Sequence, residues 1–105
     1  MISLSARQAA QRLAGATPPV LLDVREPWEV ALAGLPGAIA IPLGQLQARC
    51  GELDPTRPTI VVCHHGVRSL HACMFLGAQG FTDLANLSGG SEAWSLDVDP
   101  TVARY

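Results

Sequence analysis

The sequence contains no lysine, and its seven arginines are outnumbered by nine acidic residues, which gives a formal net charge of −2. A chain without excess positive charge lacks the electrostatic field that attracts nucleic acids and anionic membrane surfaces. Charged residues are only 15% of the chain and hydrophobic residues are 49%, a composition that excludes disorder. No apolar run reaches the ~20 residues needed to cross a bilayer. We therefore expect no nucleic acid and no membrane as partner.

Cysteine is scarce and unpaired in the sequence: Cys50, Cys63 and Cys73 form no C-x-x-C motif. This odd set indicates neither a disulfide framework nor a zinc knuckle. Reduced thiols fit a cytoplasmic protein, and the first residues do not form a secretory signal. At 105 residues the length suits one domain, residues 1–105, which could function alone or as a module of a larger polypeptide.

Short apolar runs alternate with amphipathic segments along the chain. The expected strands cover residues 2–4, 20–22, 38–41, 60–62 and 81–87. The expected helices lie between residues 5 and 15, at 27–32, irregularly at 43–53, at 68–79, and from residue 91. This alternation predicts an α/β fold with a parallel sheet of about five strands and helices on both faces. Residues 97–105 show little periodicity, and we expect them to lie along the surface.

The most informative stretch is the one that follows the fourth predicted strand. The β-branched run Ile60–Val62 is too short for a helix and reads as a buried strand. Cys63 ends it, Gly66 allows a tight loop, and Arg68 and Ser69 precede an apolar helix. A loop between the carboxyl end of a parallel strand and a helix N-terminus is a typical anion-binding site.

Such surroundings favour the thiolate of Cys63, because backbone N–H groups and the nearby guanidinium of Arg68 stabilise its negative charge. The alternative is that Cys63 is a small buried hydrophobic residue, as most free cysteines are. A structural cysteine would not need the glycine and arginine that follow at loop spacing. The pattern therefore indicates a nucleophilic cysteine.

This loop resembles the active-site loop of the rhodanese family of sulfurtransferases, which has the form C-x-x-G-x-R followed by Ser or Thr. Two further segments resemble the family's terminal motifs and occur in the right order. The N-terminal one comprises Leu22–Arg25 with Glu29, then Pro36–Ala38 and Ile41–Pro42; the C-terminal one comprises Leu87–Gly90 with Trp94. The three motifs cover most of the chain, whereas the loop motif alone would be a weak signal.

The resemblance implies a rhodanese-like fold and transfer of a sulfane sulfur through a Cys63 persulfide, without a cofactor. The donor would be a small anion such as thiosulfate, and the acceptor a thiol, of a small molecule or a protein, or cyanide. The substrate-binding loop would comprise His64, His65, Gly66, Val67, Arg68 and Ser69.

Several charged residues near the loop have more than one interpretation. Arg68 could neutralise Glu29 or Asp23, or hold the loop and add charge to it, and we expect both kinds of role. Asp23 is expected to support the loop by accepting hydrogen bonds from backbone N–H groups rather than to react. Arg25 supports the site as well, and we expect it to pair with Glu29 and frame the pocket.

The histidines and the other cysteines have simpler roles in this prediction. The spacing of His64 and His65 relative to Cys63 and His71 is not one that metal ligands typically show. We therefore expect no metal. Their backbone N–H groups would line the loop, and a protonated imidazole would attract an anionic donor. Cys50 and Cys73 are predicted to be packing residues, with a resolving thiol as the alternative.

Two other functions compete with sulfur transfer. Phosphatases and arsenate reductases of the same fold family have a longer loop, whereas Cys63 and Arg68 enclose only four residues. The shorter loop suits one sulfur atom better than a tetrahedral oxyanion, and it contains no acidic residue to act as a general acid. The second alternative is a non-catalytic rhodanese-like binding module, for which loss of the cysteine is the usual sign.

Overall fold

Five strands and five helices alternate along the chain in the computed structural model, which describes residues 1–105. The strands are β1 Ile2–Leu4, β2 Val20–Asp23, β3 Ile39–Ala40, β4 Thr59–Val62 and β5 Leu84–Leu87. The helices are α1 Ala6–Leu13, α2 Pro27–Ala33, α3 Leu46–Arg49, α4 Val67–Ala78 and α5 Gly90–Asp97. Single 3-10 turns, Leu43–Gln45 and Cys50–Glu52, flank α3.

All five strands are parallel and form one sheet in the order β1-β5-β4-β2-β3. The central strand β4 pairs with β2 through Leu21 and Ile60 and with β5 through Ile60 and Ala85. The predicted α/β class with a five-stranded parallel sheet is confirmed. Parallel strands bring their carboxyl ends to one edge, so the residues after β4 lie at the middle of that edge.

Helices cover both faces of the sheet, as predicted. One core cluster packs α1 and α5 against Ile60 and Val62 of β4, and the other packs α3 and α4 against Val61. Side chains alternate between the faces along a strand. Cys63, the next residue after Val62, therefore lies in the α4 cluster, where the N-terminus of α4 can surround its sulfur.

Local hydrogen bonds define where α1 and α2 begin, and those of α2 help to position the site. Ser5 caps α1 in a capping box with Gln8. At α2, Pro27 occupies the first turn, where its missing N–H is not needed. The Glu29 carboxylate accepts a hydrogen bond from the Glu26 N–H at 3.0 Å, which fixes Glu29 at the start of this helix.

Two expectations need correction. The last strand begins at Leu84 rather than at residue 81, and residues 81–83 form the connection that precedes it. The segment after α5 does not simply follow the surface: Val102 is only 5% exposed and belongs to the core cluster of α1 and α5. The free energy of burying Val102 and its neighbours orders a segment whose sequence shows no periodicity. No helix is both long and apolar enough to cross a membrane.

Candidate active site

Cys63 begins the segment 63–69, which we call the cysteine loop. This segment includes the first three residues of α4. Its Sγ accepts hydrogen bonds from the backbone N–H of Gly66 at 3.1 Å and of Ser69 at 3.3 Å. Gly66 has φ +104°, and a Cβ at this position would overlap the carbonyl of Ser88. Glycine is therefore required both for the backbone angle and for the close approach. The amides of Gly66 and Ser69 thus face the sulfur, although Cys63 itself is 1% exposed.

The environment favours ionisation of Cys63 despite its burial. Burial alone would raise the pKa of the thiol, but hydrogen bonds from the Ser69 side chain and from the N–H groups of Ser69, Gly66 and His65 outweigh it. The net pKa of Cys63 lies below its ordinary value of 9.0. Cys73 is equally buried but lacks such donors, and burial raises the pKa of its thiol to about 11. The two thiols differ in their hydrogen-bond partners, not in depth.

Ser69 and Asn86 extend this network beneath the loop. The Ser69 Oγ lies 3.3 Å from Cys63 Sγ and 2.5 Å from Asn86 Oδ1, and the Asn86 Nδ2 donates to the Gly66 carbonyl at 3.1 Å. A hydroxyl has one proton, so Ser69 can donate either to the sulfur or to Asn86. A protonated Cys63 can donate to Ser69, whereas the thiolate needs the Ser69 proton for itself.

The N-terminus of α5 holds the other side of the loop. The Ser91 N–H donates to the Cys63 carbonyl at 2.8 Å, and the Glu92 N–H donates to the His64 carbonyl at 3.2 Å. Gly90 has φ +64°, and a Cβ there would overlap the His64 carbonyl. The free N–H groups of α5 thus bind loop carbonyls, which leaves the amides of the loop free to face the sulfur.

Arg68 is held by Glu29 in a two-pronged ion pair with distances of 2.6 Å and 2.8 Å. Glu29 is 3% exposed, and its hydrogen bonds from Arg68 lower the pKa of its carboxyl to about 2. The pair with Glu29 raises the pKa of Arg68 above its ordinary value, and the negative charge of Cys63 adds in the same direction. Arg68 therefore neutralises Glu29 and lies within electrostatic range of the sulfur.

Arg25 pairs with Asp23 rather than with Glu29, which corrects the expected Arg25–Glu29 pair. Both residues of the pair are fully buried, and the shortest of their contacts is 2.7 Å. Asp23 also accepts from the Arg25 backbone N–H at 3.0 Å, while Arg25 donates to the Ala33 carbonyl at 2.9 Å. Burial works against the Arg25 charge, but its hydrogen bonds with Asp23 and Tyr105 leave its pKa raised. Both groups are engaged in holding the strand end, not free for chemistry.

The two histidines of the loop differ in environment. His65 is exposed, and its ring stacks on that of His64 with centroids 3.9 Å apart. Burial, followed by the nearby charge of His65, lowers the pKa of His64 below its ordinary value. This shift works against the protonated form of His64 that we expected to attract an anionic donor. No three histidine, cysteine or carboxylate side chains converge as metal ligands.

Sequence reasoning missed three residues at this site: Asn86, Ser91 and Tyr105. Asn86 could have been recognised from the sequence, because it is the one polar side chain of β5. The structure shows that it is buried. Tyr105 had none, because nothing in the sequence connects residue 105 to residue 64. Its hydroxyl donates to Glu29 at 2.6 Å and accepts from Arg25 at 3.0 Å. It thereby links the Asp23–Arg25 and Glu29–Arg68 pairs.

The fold and the site together define a parallel α/β protein with an ionisable cysteine in a cradle of amides at the carboxyl edge of its sheet. A family model described as the Rhodanese-like domain matches residues 5–97. The chain belongs to the rhodanese-like domain family.

Known proteins support this assignment from both sequence and structure. A sulfurtransferase of Allochromatium vinosum is 34% identical over 95% of this chain and 94% of its own length. The chloroplastic rhodanese-like/PpiC domain-containing protein 12 of Arabidopsis thaliana is 40% identical over 81% of this chain, which spans only 30% of that protein. The crystal structure of a rhodanese-like domain protein from Staphylococcus aureus superposes with a TM-score of 0.84 at 30% identity, covering 90% of this chain and 91% of the other.

Proposed function

We propose that the protein is a sulfurtransferase that moves a sulfane sulfur through a persulfide on Cys63. The observation that carries this proposal is the pair of N–H groups, from Gly66 and Ser69, directed at the Cys63 sulfur at 3.1 and 3.3 Å. The name of the Allochromatium relative, which matches nearly the whole chain, supports the same activity. In this proposal residues 1–105 act as one domain.

In the first step the Cys63 thiolate attacks the outer sulfur of a donor such as thiosulfate. A bond forms between Sγ and that sulfur, the sulfur–sulfur bond of thiosulfate breaks, and its electron pair leaves with sulfite. The product on the protein is the anionic persulfide of Cys63. Sulfite is a weakly basic leaving group, so this step requires no general acid.

In the second step a thiolate acceptor, or cyanide in an assay, attacks the outer sulfur of the persulfide. The persulfide bond breaks, its electron pair returns to Cys63 as thiolate, and the product is an acceptor persulfide or thiocyanate. Neither step consumes an external oxidant or reductant. All three cysteines are free, as a reducing compartment such as the cytoplasm would keep them.

The cradle supports both steps because each one changes the negative charge on sulfur. Fixed N–H donors stabilise that charge without having to reorganise. The neighbouring carboxylates do not favour phosphoryl chemistry: Asp23 is bound by Arg25, and the pKa of Glu29 is about 2. Neither can serve as the general acid that an alkoxide leaving group requires.

The test combines an activity assay with intact mass measurement. We expect thiosulfate and cyanide to yield thiocyanate, and thiosulfate alone to add one sulfur atom, about 32 Da, to the protein. Cys63→Ser should abolish both results. Cys50→Ser, which removes a half-buried thiol at the C-terminal end of α3, is the matched control and should retain them.

Two outcomes would contradict the proposal. Failure to turn over or retain sulfur from any sulfane donor, with Cys63 intact and reactive, would favour the non-catalytic binding module. Hydrolysis of an aryl phosphate that depends on Cys63 would favour the phosphatase alternative.

A further inference from the structure

Tyr105 contacts His64 of the cysteine loop and two charged residues beside the loop, Glu29 and Arg25. Its ring stacks on the His64 ring, with centroids 3.8 Å apart and planes at 12°. Its hydroxyl donates to Glu29 at 2.6 Å and accepts from Arg25 at 3.0 Å. The ring is half-buried although the residue follows the last helix. Such a set of contacts fixes both the plane and the direction of the phenol.

These contacts place the ring beside the cysteine loop. His64 is the residue immediately after Cys63, and Glu29, which accepts the hydrogen bond from the phenol, is held by Arg68 at the other end of the loop. Cys63 is 1% exposed. The two surface cavities do not include the loop, and the larger, about 640 Å³, lies near Trp94 at the opposite end of the sheet. Neither cavity therefore opens onto the Cys63 sulfur.

The segment that bears Tyr105 is anchored one turn before the ring. Val102 is buried in the core, and its carbonyl accepts a hydrogen bond from the Ser95 hydroxyl at 2.6 Å. Beyond Val102, the polar contacts are those of Tyr105 itself and the exposed ion pair of Arg104 with Glu92 at 2.7 Å. Residues 103–105 lie outside the last helix, and Ala103 and Tyr105 also pack against the core cluster of α1 and α5.

We propose that Tyr105 is a specificity-determining residue that restricts access to the Cys63 sulfur by size. Its ring must leave His64 before a thiol carried on a molecule larger than a small inorganic anion can reach the sulfur. The consequence for acceptor choice rests on the proposed sulfurtransferase activity. The steric claim does not, because it concerns access to the thiolate.

Alkylation of Cys63 tests the claim without any turnover. Rates are measured by peptide mass spectrometry with iodoacetamide, a small reagent, and with fluorescein maleimide, a bulky one. For Tyr105→Ala we expect the bulky reagent to react about ten- to a hundredfold faster, since the opening then no longer breaks two hydrogen bonds and an aromatic stack. The rate with iodoacetamide should rise much less. Tyr105→Phe keeps the stacked ring but lacks the hydroxyl, so its ratio of the two rates should lie between those of the unmodified protein and Tyr105→Ala.

Cys73 serves as an internal control for loss of structure, because it is buried in the core away from Tyr105. It should remain unlabelled in every variant. An unchanged ratio of rates in Tyr105→Ala would overturn the proposal, and so would equal acceleration of both reagents, with or without labelling of Cys73. If alkylation follows the prediction but thiocyanate does not form, Tyr105 controls access and the sulfurtransferase proposal alone fails.

Discussion

At the scale of single residues, Ser69 decides how the Cys63 charge is stabilised. Its hydroxyl lies within reach of both Cys63 Sγ and Asn86 Oδ1 but can donate to only one of them. The thiolate is the state in which donation to sulfur is favoured, because hydrogen bonds to charged acceptors are the stronger ones. Ser69 thus differs from Gly66, whose contribution is a backbone amide that no side-chain substitution removes.

Ser69→Ala should raise the pKa of Cys63 by about one unit, since one hydrogen bond to a charged group is lost while the amides remain. The pH profile of iodoacetamide alkylation at Cys63 measures this shift. At pH 7 the rate should fall, and it should recover at alkaline pH. Ser69→Thr keeps the hydroxyl and serves as the control. An unchanged profile in Ser69→Ala would mean that the Ser69 proton stays on Asn86.

At the scale of elements, the N-termini of α4 and α5 bind different groups of the cysteine loop. The amides that begin α4 face the sulfur, and those that begin α5 bind the loop carbonyls. The close approach of α5 depends on Gly90, which has a positive φ and no space for a Cβ. The loop is therefore shaped by two successive helices that pack on opposite faces of the sheet.

Gly90→Ala should lower the free energy of unfolding by about 3 kcal/mol or more, because backbone strain and an overlap with the His64 carbonyl add together. Gly80→Ala is the matched control: Gly80 also has a positive φ, +97°, but a Cβ there would meet nothing within 4 Å. Its cost should be limited to the strain, about 1 kcal/mol. Urea unfolding of both variants gives the comparison, and equal costs would refute the role assigned to the contact.

At the scale of the whole molecule, Asp23, Arg25, Tyr105, Glu29 and Arg68 form one network. It joins the end of β2, helix α2, the cysteine loop and the segment after α5. Breaking a buried member leaves its partner charged and unpaired, which costs more than the pair contributes. The network should therefore make stability depend on acid pH.

The pKa of Glu29 falls from 4.5 to about 2 on folding. A carboxyl with a lowered pKa stabilises the folded state above its unfolded pKa, and this contribution disappears as the pH falls through the folded value. We expect stability to decline between about pH 4.5 and pH 2, by at most about 3 kcal/mol from this group. Urea unfolding across this range should show the decline in the unmodified protein and a flatter curve in Glu29→Gln.

Glu52→Gln provides the control for other carboxylates. Glu52 also pairs with an arginine, Arg49 at 2.9 Å, but on the surface, where its side chain is 56% exposed. Solvent screens such pairs, so this variant should retain the pH dependence of the unmodified protein. A Glu29→Gln curve parallel to it would show that the buried pair contributes nothing to the acid response.

The parallel sheet, the position of Cys63 at its edge and the need for Gly66 followed from the sequence alone. These features depend on contacts within a few residues or on the two periodicities of strands and helices, which can be read from the sequence of each element. The nucleophilic role of Cys63 remains a prediction that alkylation and mass measurement can test.

Tertiary structure decided which charges pair and which ring stacks on the cysteine loop. Arg25 pairs with Asp23, Arg68 pairs with Glu29, and Tyr105 links the two pairs. Ion pairs and hydrogen bonds between residues up to 80 positions apart depend on distances that only the packed chain sets. Local sequence carries no record of such distances, because side chains of the same charge compete equally for a partner until the strands and helices are in place.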